Sequence, residues 1–222
     1  MDLKALFLNC TLKKSPETSH TQALIDNVAG LMEPMGVECE TVRLVDYKIA
    51  FGTESDMGHG DEWPKVYDKI KAADILVPSM PIWMGARSSL CQLMAERLDG
   101  SYRDLDPNTG QYPLYNKVVG VIGTGNEDGA YDCCATTLYN FTHYGCAVPP
   151  NADCYWVGDA GPGPSYIDEG QGHLYTNRTA RFLASGCVWM ARMLKEHGPV
   201  ATNLIELTEE AQKVSTDTAP AG

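Results

Sequence analysis

Short apolar runs alternate along this chain with longer stretches whose apolar residues return every three or four positions. Residues 3–8 form the first run, nearly unbroken, as in a strand covered on both faces. A polar loop follows. Leu24, Val28, Leu31, Met32 and Met35 then share one helical face, and Gly36 ends the helix. Residues 37–44 alternate with charged neighbours, which predicts a strand at a sheet edge. The stretch 46–62 is long, acidic and glycine-bearing. Loops of that length inside a domain are usually functional or mobile, and the sequence leaves open whether this one is a plain acidic loop or a lid over a site.

Asp61 can cap the next helix, with Pro64 in its first turn and Val66, Tyr67 and Ile70 as its buried stripe. Residues 74–80 read as a third strand. Ser88 opens a helix whose apolar face is Leu90, Leu93, Met94 and Leu98. A turn-rich stretch precedes a fourth strand at 117–123, and a helix is predicted over 130–144. A fifth strand falls within 147–157, interrupted by Pro149 and Pro150. After a Gly/Pro-rich loop at 158–172, the longest helix is predicted over 176–197. Beyond Gly198 the chain turns polar and small-residued. The expectation is one domain over 1–197 and a loosely ordered tail over 198–222.

Five strands alternating with five helices predict an α/β fold, a doubly wound parallel sheet with helices on both faces. Such sheets bind ligands at a topological switch point beyond the carboxyl ends of the strands. The loops after strands one, three and four fall at that edge.

Composition narrows the partners. With 17 Lys and Arg against 29 Asp and Glu, the net charge of −12 repels a phosphate backbone and an anionic membrane. No run of 18 apolar residues occurs. Eight scattered cysteines show no C-x-x-C pair and no zinc spacing, as expected of reduced thiols in a cytoplasmic protein. His59 with Asp56, Asp61 and Glu62 reads as exposed acidic loop, so no metal is expected.

Against that charge the first loop stands out. From Asn9 to Thr21 it carries five hydroxyls and two lysines and runs into a helix N-terminus, where backbone amides and the helix dipole attract an anion. Neither the Walker spacing nor G-x-G-x-x-G is present. A C-x5-R phosphatase loop is absent too, since Pro16 stands six residues past Cys10. The second loop places Trp83 and Met84 beyond a buried strand, and the third, around Thr124 to Gly129, is rich in backbone amides. Together they suggest a mononucleotide with a flat ring.

Thr11-x-Lys13 followed by Ser19-x-Thr21-x-x-Leu24 resembles the phosphate loop of the NAD(P)H-dependent FMN reductase group of the flavodoxin-like superfamily. Pro81-Ile82-Trp83-Met84-Gly85 with Ser88-Ser89 is similar to its second flavin loop. The resemblance spans about residues 3–195 and implies a sheet ordered 2-1-3-4-5. It also implies FMN as cofactor, with NADPH or NADH as co-substrate. Thr11, Lys13, Ser19 and Thr21 would hold the phosphate, with His20 beside them in a structural role. Pro81, Ile82, Trp83, Met84 and Gly85 would contact one edge of the ring. Thr124, Gly125, Asn126, Glu127, Asp128 and Gly129 would contact the other, and Trp83 with Tyr131 or Trp156 would shield it.

The implied activity passes a hydride through the flavin to a small acceptor, a quinone, azo dye, nitroaromatic or free flavin, with no catalytic side chain. Glu127 and Asp128 near the ring would disfavour negative charge on it. The alternative is a flavodoxin-type electron carrier, which the acidity favours because such carriers dock on basic partners. The resemblance further implies a homodimer or homotetramer.

Overall fold

The structure is a computed structural model that describes residues 2–126, 128–161 and 163–215. Its sheet runs β2 (Val37–Arg43), β1 (Leu3–Asn9), β3 (Ile75–Trp83), β6 (Val121–Gly125), β7 (Asp153–Val157), all parallel. Two short strands are added to β3: β4 (Ala86–Arg87) antiparallel and β5 (Val118–Val119) parallel. The order is the 2-1-3-4-5 expected, with the fourth predicted strand divided at Gly120. A side chain there would strike Leu183 and Cys187, so the backbone must pass close to the longest helix. β2 lies at an edge, as its alternating pattern predicts.

Both faces of the sheet are covered. Along β1, Leu3, Ala5 and Phe7 face α1 (His20–Met32) and α5 (Leu174–His197). Leu6 and Leu8 face the other way, toward α2 (Trp63–Ala72), α3 (Ser89–Asp99) and α4 (Ala130–His143). Period-two alternation with both sets buried explains why the strand reads as an unbroken apolar run. Each buried Leu or Phe contributes roughly 1.5–3 kcal/mol of transfer free energy. All eight cysteines are free, and all but Cys39 are buried. Among the described residues no helix is long and apolar enough to cross a membrane.

The 46–62 stretch is a strap, not a lid. Arg97 near the end of α3 and Asp61 have fully shielded side chains joined at 2.7 Å. The same guanidinium donates to the carbonyls of Ala50 (2.9 Å) and Glu54 (2.8 and 3.1 Å) and lies over the Trp63 ring. Asp61 also accepts from the amides of Ala50, Met57 and Trp63. Burial opposes its ionisation, but the Arg97 bond and these amides outweigh it and hold the carboxyl well below its usual range.

Beyond α5, where a loose tail is expected, residues 204–214 form α6 (Leu204–Val214). Asn203 caps it, its Oδ1 accepting from the amides of Ile205 and Glu206. The segment before it is tied to the body through Gln111, which donates to the carbonyls of Val200 and Thr202.

Candidate functional site

A cleft of about 310 Å³ opens beyond the carboxyl ends of β1, β3, β6 and β7. Its first wall is the loop between β1 and α1. Asn9 shapes the turn by accepting the Thr11 amide (3.0 Å) and donating to Gln22 (2.9 Å). Arg43 at the end of β2 grips the Glu17 and Lys13 carbonyls, and Asp46 takes both the amide and the hydroxyl of Ser15. Ser88, the cap of α3, donates to the Cys10 carbonyl. The loop is thus fixed from outside. The Lys13 ammonium lines the cleft and meets no carboxylate among the described residues. Across the cleft floor the buried hydroxyls of Thr21 and Thr124 lie 2.7 Å apart. One donates to the other, so the second hydroxyl keeps a hydrogen with no acceptor among the described residues.

Pro81, Ile82 and Trp83 form the second wall, with the Trp83 side of the mouth open to solvent (54% exposed). A Cβ placed on Gly129 would lie 2.3 Å from the Gly85 carbonyl oxygen. The second and third loops therefore meet backbone to backbone, with positive φ at both glycines. The third wall is the 158–168 segment after β7, which brings Gly161, Gly163, Ser165 and Tyr166 to the cleft beside Trp156. Asn126 holds it by donating to the carbonyls of Gly163 (3.1 Å) and Pro164 (2.9 Å). His20 holds it from the other side, its Nδ1 accepting the Ile167 amide at 3.3 Å. Partial burial and the Lys13 charge lower the His20 pKa, against the opposing pull of Asp168.

Eleven of the residues singled out in the sequence line this cleft: Thr11, Lys13, His20, Thr21, Pro81, Ile82, Trp83, Thr124, Gly125, Asn126 and Trp156. The others lie elsewhere. Ser19 uses its hydroxyl to cap α1, accepting the Gln22 amide. Met84 projects into solvent at the tip of the β3–β4 hairpin (88% exposed). Gly85 and Gly129 form the loop–loop contact, and Asp128 is exposed. Glu127 lies outside the described residues. Tyr131 packs on Tyr155 rather than on the cleft. Leu12 and the 158–168 wall went unread, although that loop also leaves the carboxyl edge of a strand and its Gly/Pro richness was visible. Cys10 is fully buried, and burial with the Cys91 contact raises its thiol, so it is no nucleophile.

The lining fits FMN. In a chain of net charge −12, no Asp or Glu lines the cleft among the described residues. Its donors are an unpaired ammonium, the amides at the start of α1 and a spare hydroxyl hydrogen, with apolar, flat side chains beyond them. Residues 3–160 match the family model described as NADPH-dependent FMN reductase. The chain belongs to the NADPH-dependent FMN reductase family. As a member it is a flavin-dependent oxidoreductase enzyme that works with FMN and NAD(P)H.

Within the curated proteins it is 42% identical, over 98% of its own length and 88% of the other's, to the 8-demethyl-8-aminoriboflavin-5'-phosphate synthase of Streptomyces davaonensis. It is 43% identical to a protein of Mycobacterium bovis named divalent metal cation transporter MntH. That match covers 96% of this chain but only 32% of the other protein. Among solved structures, RosB with bound 8-demethyl-8-formylriboflavin-5'-phosphate superposes with a TM-score of 0.90 and 41% identity, covering 99% of this chain and 90% of RosB. A WrbA-like flavodoxin from Agrobacterium tumefaciens, 13% identical with a TM-score of 0.57 over 86% of this chain and 98% of its own, shares the fold.

Proposed function

We propose that this family member holds riboflavin 5'-phosphate in the cleft, takes hydride equivalents from NAD(P)H and delivers them to a small planar acceptor such as a quinone, azo, nitro or flavin compound. One observation carries the reading: a cleft with no carboxylate among its described residues, whose Lys13 and Thr21/Thr124 hydroxyl pair stand at a helix N-terminus beside the Trp83 wall. When bound, the flavin supplies the hydride acceptance and return. Lys13, Thr11, Thr21 and the first amides of α1 anchor the phosphate. Pro81, Ile82 and Trp83 on one side and Thr124, Gly125 and Asn126 on the other orient the ring, while the 158–168 wall and Trp156 keep water from it. No side-chain acid or base is required. The flavin-binding unit is residues 1–197, and assembly as a homo-oligomer belongs to the same reading.

The test is flavin loading followed by anaerobic mixing. Protein freed of flavin should take up one FMN per chain, and NADPH or NADH should bleach the flavin bands directly. Added quinone should restore them. Bound flavin that neither nucleotide bleaches would overturn the reading.

A second reading is favoured by two of the relatives above 40% identity, one named for an 8-amino riboflavin 5'-phosphate and one solved with an 8-formyl riboflavin 5'-phosphate bound. Here the flavin phosphate is itself the substrate, altered at the 8-position. Mass analysis of the flavin recovered after prolonged aerobic incubation separates the two. An unchanged mass supports the first, and a changed 8-substituent the second.

A further inference from the structure

We propose that a tyrosine ladder beside the cleft, Tyr131–Tyr155–Tyr175, holds the adenosine 2'-phosphate end of NADPH together with Arg178 and Arg181, and so selects NADPH over NADH. The proposal rests on the reading that NAD(P)H reduces a flavin seated in the cleft. With the flavin there, the nicotinamide enters at the open Trp83 side, and the adenosine half has to lie on the surface along the carboxyl edge of the sheet.

The ladder stands at that edge. Tyr131 follows Gly129 by two residues, and Gly129 touches Gly85, so the first rung adjoins the contact between the second and third loops. Tyr155 lies on β7, the outermost strand, paired in register with Gly123 of β6. Tyr175 is in the first turn of α5, just past the 158–168 wall. The Tyr131 and Tyr155 rings meet edge to face with centroids 5.5 Å apart. Those of Tyr155 and Tyr175 are 5.7 Å apart, with their hydroxyls at 3.5 Å. Yet Tyr131 is 75% exposed. Contiguous aromatic surface left open to water beside polar groups marks a ligand site more than a core. Burial and the hydroxyls of Tyr131 and Tyr175 raise the Tyr155 phenol, so it stays an O–H donor at neutral pH.

Charge selects which flat ligand fits. The Arg178 guanidinium lies over the Tyr175 ring, 5.3 Å from its centroid. Arg181, which gives one N–H to the Asn177 carbonyl, stands one turn further on. Both are exposed, and neither meets a carboxylate among the described residues. From Gly170 to Lys195 the sequence has no Asp or Glu, in a chain of net charge −12. Arg87, at the second loop, engages Gln92, Thr137 and Asn140 with all three of its nitrogens, and Lys13 serves the flavin phosphate. An adenine stacks on aromatic faces, and a phosphate monoester matches the planar fork of arginine. NADH carries a hydroxyl where NADPH carries that phosphate, so the two arginines act on one nucleotide and not on the other.

Calorimetric titration of the full-length, flavin-loaded chain with adenosine 2',5'-bisphosphate reads this site without any redox step. The bisphosphate should bind, and adenosine 5'-monophosphate should bind about 10-fold more weakly. Arg178→Met should weaken the bisphosphate about 10-fold and the monophosphate far less, with Arg178→Lys in between because the fork is lost and the charge kept. Tyr131→Ala should weaken both probes alike. FMN affinity should not move, since none of these residues lines the cleft. In anaerobic mixing, Arg178→Met should lower the ratio of NADPH to NADH bleaching rates about 10-fold at limiting nucleotide. A bisphosphate that does not bind, or an Arg178→Met loss equal for both probes, overturns the proposal. Bisphosphate binding that depends on Arg178, with a flavin that neither nucleotide bleaches, supports the site and overturns the reading of flavin reduction instead. If Arg178→Met fails to fold, Arg181→Met makes the same comparison at a neighbouring exposed position.

Discussion

The Thr21–Thr124 hydroxyl pair can be taken apart in a way that separates holding the fold from holding the flavin. Both side chains are buried, and among the described residues their only side-chain partner is each other, at 2.7 Å. Thr124→Val keeps the shape but leaves the Thr21 hydroxyl with no protein partner. That costs roughly 1–3 kcal/mol. For a chain of this size the melting temperature should fall by about 2–4 °C per kcal/mol. Thr21→Val should act alike. The double variant removes both polar groups together, and such replacements are nearly neutral, so its stability without flavin should return close to wild type.

Flavin affinity should not return. Each single variant keeps one hydroxyl hydrogen, but the double variant has none to offer, and a bond to a charged phosphate is worth roughly 1.5–3 kcal/mol. The FMN dissociation constant should therefore rise about 10- to 100-fold in the double variant. Thermal melts of flavin-free protein and quenching of FMN fluorescence read the two quantities separately. A double variant as stable as wild type that also binds FMN as wild type does would refute the role given to this pair.

Other outcomes follow from the same geometry. Lys13→Gln should weaken FMN binding and flatten its dependence on ionic strength, because the lysine acts as a point charge; titrations at low and high salt check it. Arg97→Met strands a shielded Asp61 and should cost roughly 3–5 kcal/mol, yet leave FMN affinity unchanged, since no residue of 46–62 lines the cleft and the Asp46–Ser15 contact lies at the far end from Arg97. The Asp61 carboxyl is depressed in the fold, so its contribution is present above the unfolded carboxylate value near about 3.9 and lost as acid takes the pH below it. Acid titration of wild type against Asp61→Asn, followed by circular dichroism, reads this out. His20 accepts the Ile167 amide only while Nδ1 is unprotonated, and its pKa is lowered in the fold. The tether is therefore present above the ordinary histidine value near about 6.5 and lost as the pH falls through the lowered one. Exchange of the Ile167 amide should speed up in that window in wild type, and His20→Asn, whose amide oxygen stays an acceptor, should remove the pH step.

What the sequence disclosed and what it hid divide by range along the chain. β1 and β3 are legible because burial on two faces leaves an apolar run that few other structures produce. The place of the Thr11–Thr21 loop at the cleft is legible because a loop between a first parallel strand and a helix start leaves the sheet at its carboxyl edge. α6 was legible in part: Asn203 followed three residues later by Glu206, ahead of Leu207 and Ala211, is a helix-start signature that the polar composition masked. The third wall was not legible. Gly, Pro and Asp in 158–168 carry no periodicity, and its anchors join residues far apart, His20 to Ile167 and Asn126 to Gly163.

Arg97 shows the same limit in reverse. In sequence it is one more cation in the last turn of α3. In the fold it is among the largest fully buried side chains, because two carbonyls and a carboxylate from residues 36 to 47 positions away converge on it. That convergence decides the function of the longest acidic loop. Ala50 and Glu54 give their carbonyls to the buried guanidinium, which pins the middle of the segment to α3 and away from the cleft. With flavin in the proposed cleft, access would run past the Trp83 mouth and the 158–168 wall. Of the two, only the wall hangs on a titratable group, so a pH-dependent change in flavin release should follow His20 and be indifferent to Asp61.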